Sequence, residues 1–218
     1  MSNLPMENSL YASIDYWDRR YSNEPIDTQF DWFKSYKELS GIISKFIPDK
    51  TLRICILGCG NSTLSQEMYD DGYRSIVNVD ASKVLIERMK LKNLELRPLM
   101  DCKLSRYQHI KMLLSQNVRE LKDLKEQSFD IVIDKGTMDA LMCSKGDVWD
   151  PPVEVIENCK KEVDEVIRIL SPRGKFLYIT FGQPHFRKRH LQRPDVWTIE
   201  TVEIGESFHY YFYCMTKL

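Results

Sequence analysis

The sequence predicts a Rossmann-like three-layer α/β sandwich: a mostly parallel sheet between helices, with an antiparallel hairpin at its C-terminal edge and a helical cap in front. Three observations carry that expectation. Apolar runs rich in β-formers alternate with segments of helical periodicity. A glycine turn follows the first such run directly, and the last two runs are separated by a short glycine-containing link. Alternating β and α segments need crossover connections, and these bury both faces of a parallel sheet. A link as short as the last one joins antiparallel neighbours.

Residues 1–50 read as the helical cap and 51–218 as the core of a single domain. In the cap, Trp17 and Tyr21 stand at i and i+4, on one helix face. A loop with Pro25 leads to Phe30-Asp31-Trp32-Phe33, expected to open an amphipathic helix through Leu39, Ile42, Ile43 and Phe46 to Pro48. These aromatics are either core or, lying ahead of the first strand, a cover over the glycine turn; the sequence leaves both readings open.

The first strand is Arg53 to Leu57, running into Gly58-Cys59-Gly60. A helical segment follows from Leu64 to Tyr69, then Gly72, then a second strand, Ile76 to Asp80, that stops at an acid. Ser82 stands where an N-cap belongs, and Val84, Leu85, Ile86 and Met89 give the next helix its apolar face. The third strand has two readings: Leu94 to Met100, ending at Asp101, or Ile110 to Leu114, ending near Asn117. Against the second, Tyr107, Ile110, Leu114, Val118 and Leu121 recur at helical spacing.

Phe129 to Asp134 is the fourth strand, followed by Lys135-Gly136-Thr137 and a helix from Met138 to Met142. A long amphipathic helix, Val153 to Leu170, ends at the breakers Ser171-Pro172-Arg173-Gly174. The fifth strand runs from Gly174 to Phe181. Val196 to Ile204 and Phe208 to Met215 complete the terminal hairpin.

Composition bounds the function. The 218 residues are 43% hydrophobic and 29% charged, as in soluble globular proteins, with a net charge of -1. No basic excess points to nucleic acid. No apolar run approaches the roughly 20 residues of a membrane span, and Met1 to Asp15 lacks an apolar signal core. The 6 cysteines show no metal-ligand spacing, so a reduced, cytoplasmic protein without a metal is expected.

The chemistry lies in the glycine turn and the acid. Gly58 and Gly60 let backbone approach a ligand with no Cβ in the way. Asp80, about 20 positions further on, suits the paired hydroxyls of a ribose. The plain alternative is a βαβ unit whose glycines only make a turn. A dinucleotide fingerprint wants a third glycine where this chain has Thr63. A phosphate-free adenosine is therefore favoured, and S-adenosylmethionine is the commonest of those.

Three other features are weighed and discounted or left open. Asp150-Pro-Pro-Val153 is similar to a motif of amino-group methyltransferases, but it is displaced from the fourth strand and lacks the terminal aromatic. Phe186-Arg-Lys-Arg-His-Leu191 is either a solvated basic loop or a contact for an acidic partner. His185, His190 and His209 read as structural.

Taken in order, Tyr16-Trp-Asp-Arg-Arg-Tyr21, Phe30-Asp-Trp-Phe33, Leu57-Gly-Cys-Gly-Asn-Ser62, Val79-Asp80, Asp134-Lys-Gly-Thr-Met-Asp-Ala-Leu141 and Pro184-His-Phe-Arg-Lys-Arg-His190 form one set. With it the chain resembles the seven-β-strand methyltransferases that modify lysines of translation elongation factor 1-alpha. The resemblance runs from about Tyr16 to Lys217. It implies a seven-stranded sheet, S-adenosylmethionine as cofactor and the elongation factor as protein partner.

It also implies site residues. Trp17, Tyr21 and Trp32 would contact the cofactor from the cap. Gly58 would line its methionine and ribose, with Gly60 in the same turn, and Asp80 would take the ribose hydroxyls. Ala81 stands where the family often has Tyr, which weakens stacking on the adenine. Gln116-Asn-Val-Arg119 matches the family's Met-Asp-Val-Arg, so Asn117 and Val118 would flank the adenine, the amide bonding through its carbonyl oxygen. Met100-Asp101 is the rival match. Lys135 would sit beside the methyl-donor end. No general base is identified; Asp134 and Asp139 are close in sequence to the site and either can be structural. A methyltransferase for another protein or small molecule, and an inactive nucleoside-binding scaffold, remain as alternatives.

Overall fold

In the computed structural model, which describes residues 5–96, 110–144, 146–147, 149–206 and 208–218, the strands form one sheet in the order β3-β2-β1-β4-β5-β7-β6. The strands are β1 (Arg53–Leu57), β2 (Ser75–Asp80), β3 (Ile110–Ser115), β4 (Phe129–Lys135), β5 (Leu170–Thr180), β6 (Trp197–Ile204) and β7 (Tyr210–Lys217). All neighbours from β3 to β5 pair in parallel, while β7 runs antiparallel to both β5 and β6. The chain order reverses between β1 and β4. In open α/β sheets that switch point, beyond the carboxyl ends of the strands, is where ligands bind.

Period-2 alternation along the strands divides the core. Ile54 and Ile56 of β1, with Ile131 and Ile133 of β4, pack on one side with α2 (Tyr36–Phe46), α3 (Leu64–Asp70) and α4 (Lys83–Leu96). Cys55, Leu57 and Val132 face the other side, against Met138 of α5 (Thr137–Leu141), α6 (Val153–Ile169) and Leu191 of α7 (Pro184–Leu191). The result is three layers. Five cysteines among the described residues carry free thiols, and no helix there is long and apolar enough to cross a membrane.

The structure corrects several boundaries. The stretch from Phe30 to Phe33 is not helical; α2 starts only at Tyr36, behind a capping box in which Ser35 and Glu38 bond reciprocally. Ahead of α1 (Ile14–Asn23) lies a short 3-10 helix, Asn8–Ala12, that the sequence did not reveal. Leu94 to Leu96 belong to α4, and β3 is the segment from Ile110, paired in parallel with β2. Residues 97–109, with Met100, Asp101 and Tyr107, lie outside the described residues. The breaker run Ser171 to Gly174 is absorbed into β5, where Arg173 takes φ 62° and the register with β4 shifts. The basic run is helical, as α7.

Candidate active site at the carboxyl ends of the central strands

The site begins with backbone. Gly58 and Gly60 have φ of 54° and 55°, in the left-handed region that glycine tolerates. A Cβ on Gly58 would fall 2.0 Å from Thr137 Oγ1, far inside contact. The Thr137 hydroxyl donates to the Leu57 carbonyl at 3.0 Å, so it is tied to the strand that carries the turn. β1 and β4 are therefore locked together at their carboxyl ends.

Asp80 ends β2 beside this turn and is 8% exposed. Its two oxygens accept the Gly60 and Ser82 N–H groups, each at 2.9 Å. Burial pushes its pKa up, and the backbone hydrogen bonds oppose that shift. A carboxylate has about four lone-pair sites, so acceptor capacity remains on Asp80 for a ligand hydroxyl beside these N–H groups and that of Ala81. Ser82 also receives the Leu85 N–H at 3.2 Å, as an N-cap of α4 should.

The cap closes over this corner because α4 holds it there. Arg88 donates to the carbonyls of Tyr21, of Ser22 at 2.9 Å and of Glu24 at 2.8 Å, satisfying the C-terminal end of α1. The Ser82 hydroxyl bonds the Asp18 carboxylate. Tyr11, Trp17 and Tyr21 stack in series, with centroids 5.6 and 5.8 Å apart, and Trp17 Nε1 donates to the Tyr11 carbonyl at 2.8 Å. The Arg20 guanidinium lies 5.5, 5.4 and 5.8 Å from the rings of Trp17, Phe30 and Trp32 and bonds Glu24 at 2.8 Å.

A second tether runs from the lid to β4. Lys135 Nζ reaches Asp31 at 3.1 Å and the Trp32 carbonyl at 2.9 Å. Asp31 also accepts the hydroxyls of Ser62 and, at 2.9 Å, of Thr63. Burial alone would raise the Asp31 pKa, but the Ser62 hydrogen bond and the Lys135 charge leave it lowered. Lys135 is itself pulled down by burial, against the attraction of Asp31. Asn61 adds bonds to Glu24 and to the Thr28 carbonyl, both at 3.2 Å.

Trp17, Tyr21, Trp32, Gly58, Gly60, Asp80, Ala81, Asn117, Val118 and Lys135 all line one open cleft of about 940 Å3, mouth included. The sequence did not single out Tyr11, Phe30, Thr137 or Arg119, which line it too. Thr137, Asn61 and Ser62 sit inside the quoted motifs and could have been found there. Arg119 likewise closes the quoted run Gln116-Asn-Val-Arg119, whereas Tyr11 carried no such signal.

One expected role changes. Asn117 Oδ1 accepts both the Arg119 N–H at 3.0 Å and Arg119 Nε at 2.9 Å. With both lone pairs spent, the amide can offer an adenine only its N–H, so it suits a ring nitrogen and not the exocyclic amine.

Asp134 and Asp139 are committed to structure. Asp134 accepts the Thr137 and Met138 N–H groups, at 2.7 and 2.9 Å, and so caps α5. Asp139 takes Tyr178 at 2.7 Å, Thr180 at 2.6 Å and Arg187 at 2.7 Å. That buried cluster also settles the basic run: Arg187 points inward to pin α7, while Arg189 is exposed. His190 is buried and its pKa is pulled down to about 4 by burial and then by neighbouring arginines. His185 stacks on Trp149 with centroids 5.6 Å apart. Asp150 and Val153 lie away from the cleft, on an exposed loop and at the start of α6.

Comparison with known proteins adds family to geometry. Residues 48–211 match the family described as "Methyltransferase domain". "EEF1A lysine methyltransferase 4" of Mus musculus is 32% identical over 218 residues, spanning 98% of this chain and 79% of the mouse protein. The "eEF1A lysine and N-terminal methyltransferase" of Homo sapiens is 32% identical over 210 residues, 95% of this chain but 27% of that longer protein. Among solved structures, magnesium protoporphyrin IX methyltransferase from Synechocystis, with bound SAM, superposes with a TM-score of 0.59 at 14% identity, covering 100% of both chains. N-methyltransferase NodS from Bradyrhizobium japonicum, in complex with S-adenosyl-L-homocysteine, gives 0.58 at 12% identity over 96% of this chain and 98% of its own. At those identities the structural likeness speaks for the fold alone.

Proposed function

Since the chain belongs to the methyltransferase-domain family, and within it to the EEF1A lysine methyltransferases, we propose that it is an S-adenosylmethionine-dependent protein-lysine N-methyltransferase acting on translation elongation factor 1-alpha. One observation carries the cofactor assignment: a buried carboxylate and a glycine turn share one cleft with a tryptophan-bearing lid at the switch point. Two cations in that cleft are already committed, Lys135 to Asp31 and Arg119 to Asn117 and Asn158. This favours an adenosine without a pyrophosphate.

Asp80 would hold the ribose hydroxyls, and Asn117 and Val118 the adenine. Gly58 and Gly60 would admit the ligand against the backbone, under Trp17, Tyr21 and Trp32. Lys135 is a positioning residue that ties the lid to β4. When bound, the cofactor supplies an electrophilic sulfonium methyl group and leaves as the thioether.

The chain's share of the work is alignment, for which effective-molarity estimates allow about 7–11 kcal/mol. The acceptor amine must also lose a proton, which costs about 4.6 kcal/mol at pH 7 from a reference pKa near 10.4. An aromatic-walled site disfavours the charged amine and lowers that cost. Neither Asp134 nor Asp139 is placed to take the proton: both are buried and neither lines the cleft, Asp134 capping α5 and Asp139 pairing with Arg187.

The test is incubation of the purified protein with recombinant elongation factor and labelled cofactor, followed by peptide mass analysis. Methylation on a lysine peptide is expected. Saturable S-adenosylhomocysteine binding without methylation would move the substrate elsewhere. Absence of binding at high micromolar ligand would remove the enzyme reading.

A further inference from the structure

Next to the cleft stands a group of rings that the cofactor site does not use. Phe33 has φ 66°, a left-handed conformation that is a genuine outlier for a bulky residue. Such strain persists only where surroundings impose it, and it concentrates at functional sites. The imposed conformation turns consecutive residues apart. Trp32 lines the cofactor cleft, whereas Phe33 does not line it and packs against Gly136.

Gly136 is itself a cleft residue, and a Cβ there would lie 3.0 Å from the Phe33 ring. Phe181, just past β5, and Tyr210, opening β7, complete the group, with centroids 5.5 and 5.8 Å from Phe33. Phe181 is 47% exposed and Phe208, 5.1 Å from Tyr210, is 61% exposed. A core cluster would not leave that much ring in water. The outer ring already receives an ammonium: Lys34 Nζ lies 5.3 Å from the Tyr210 centroid while pairing with Glu38 at 2.8 Å.

From this we infer that Phe33, Phe181 and Tyr210 form the acceptor wall, along which the side chain of the substrate lysine reaches the methyl donor past Gly136. The inference rests on the methyltransferase reading above. The chemistry selects an unbranched aliphatic stem ending in a primary amine. Ring faces cover the methylenes and accommodate the methylated ammonium product. The missing Cβ at Gly136 lets the Phe33 ring lie directly against backbone that also lines the cleft, so wall and cleft share that edge.

The test uses the full chain. With S-adenosylhomocysteine bound, Nα-acetyl-lysine methylamide is titrated against protein carrying labelled phenylalanine, and ring resonances are followed by NMR. Phe33 and Phe181 signals are expected to shift saturably, with norleucine methylamide, which lacks the amine, as control. Phe33→Gly removes the ring while relieving the left-handed strain, and Phe181→Ala alters an exposed side chain, so both should fold. Each should bind S-adenosylhomocysteine like wild type by calorimetry, yet lose roughly 10- to 100-fold in kcat/KM for the protein acceptor, as misplacement of a reacting group predicts. Phe181→Tyr should restore most of it. Unmoved Phe33 and Phe181 resonances, or wild-type kcat/KM in both variants, would overturn the wall alone. A wild-type chain that binds no S-adenosylhomocysteine would overturn the methyltransferase reading and the wall with it.

Discussion

The two halves of the sheet's carboxyl end are built by different means. Around β1 and β2 the site is made of backbone: two left-handed glycines and an acid whose oxygens are aimed by main-chain N–H groups. Around β4, β5 and β7 it is made of side chains from segments far apart in sequence, with Phe181 and Tyr210 meeting Phe33, which lies against Gly136. A backbone site tolerates few substitutions because its geometry is local and steric. A side-chain wall can change its lining without changing the fold.

The sharpest break of that contrast would come at Gly58. Alanine there would put a methyl group 2.0 Å from Thr137 Oγ1, at a backbone angle alanine resists. Gly58→Ala is expected to cost roughly 3 kcal/mol or more and to abolish cofactor binding, read by denaturant unfolding and by calorimetry with S-adenosylhomocysteine. A variant that melts and binds like wild type would refute the steric account of the turn.

Asp80→Ala should come next. Losing a buried charged acceptor of two hydroxyls is worth about 3 kcal/mol, roughly 100-fold in affinity or more. The Gly60 and Ser82 N–H groups also lose their partner, so the melting temperature should fall by several degrees while the fold persists. Retained affinity would mean the ribose lies elsewhere.

This contrast explains what the sequence made legible. Gly58, Gly60 and Asp80 stand at spacings fixed by one βαβ unit, so local reading found them. The acceptor face has no such spacing: nothing in residues 30–33 says that Phe181 will stack on Phe33. Helical periodicity misled at Phe30 to Phe33, although Ser35 and Glu38, three apart, already carried the capping box that starts α2. For β3 the ambiguity was intrinsic. Ile110 and Leu114 are four apart, which fits one helix face and one strand face alike. Asn117 lines the cleft, but Arg119 takes both lone pairs of its amide oxygen, a contact that propensity does not encode.

The lid sits between the two regimes, since its aromatic stack is side-chain built but anchored by Arg88 on backbone carbonyls. Trp17→Ala should therefore weaken cofactor binding by only about 10-fold, near 1.4 kcal/mol, with the melting temperature nearly unchanged. Tryptophan fluorescence on ligand addition would lose most of its response in the same variant. A loss as large as that of Asp80→Ala would make the lid part of the rigid half.

The smallest expected effect concerns the layer beneath β4. Glu162 of α6 is fully buried beside Asp134, and neither of its oxygens meets a hydrogen-bond donor among the described residues. As a neutral acid it can donate to Asp134; as a carboxylate it faces a second negative charge. Burial pushes Asp134 up to about 6, and burial with the Asp134 charge drives Glu162 well above its usual value. Folded-state pKa values above the unfolded ones, near 4, mean that the pair stabilises fully below about pH 4; the Asp134 share is lost as pH rises through about 6, and the Glu162 share as pH rises further. Wild-type stability should thus fall by about 1–2 kcal/mol between pH 5 and pH 8. Glu162→Gln keeps a donor to Asp134 without a titrating proton, so it should reduce that slope and raise the melting temperature at pH 8, and Asp134→Asn with it should flatten the slope. If the slope survives in the double variant, the proton uptake belongs to Asp80, the buried carboxyl whose pKa is also raised. The pH sensitivity would then lie in the backbone-built half and not beneath the acceptor wall.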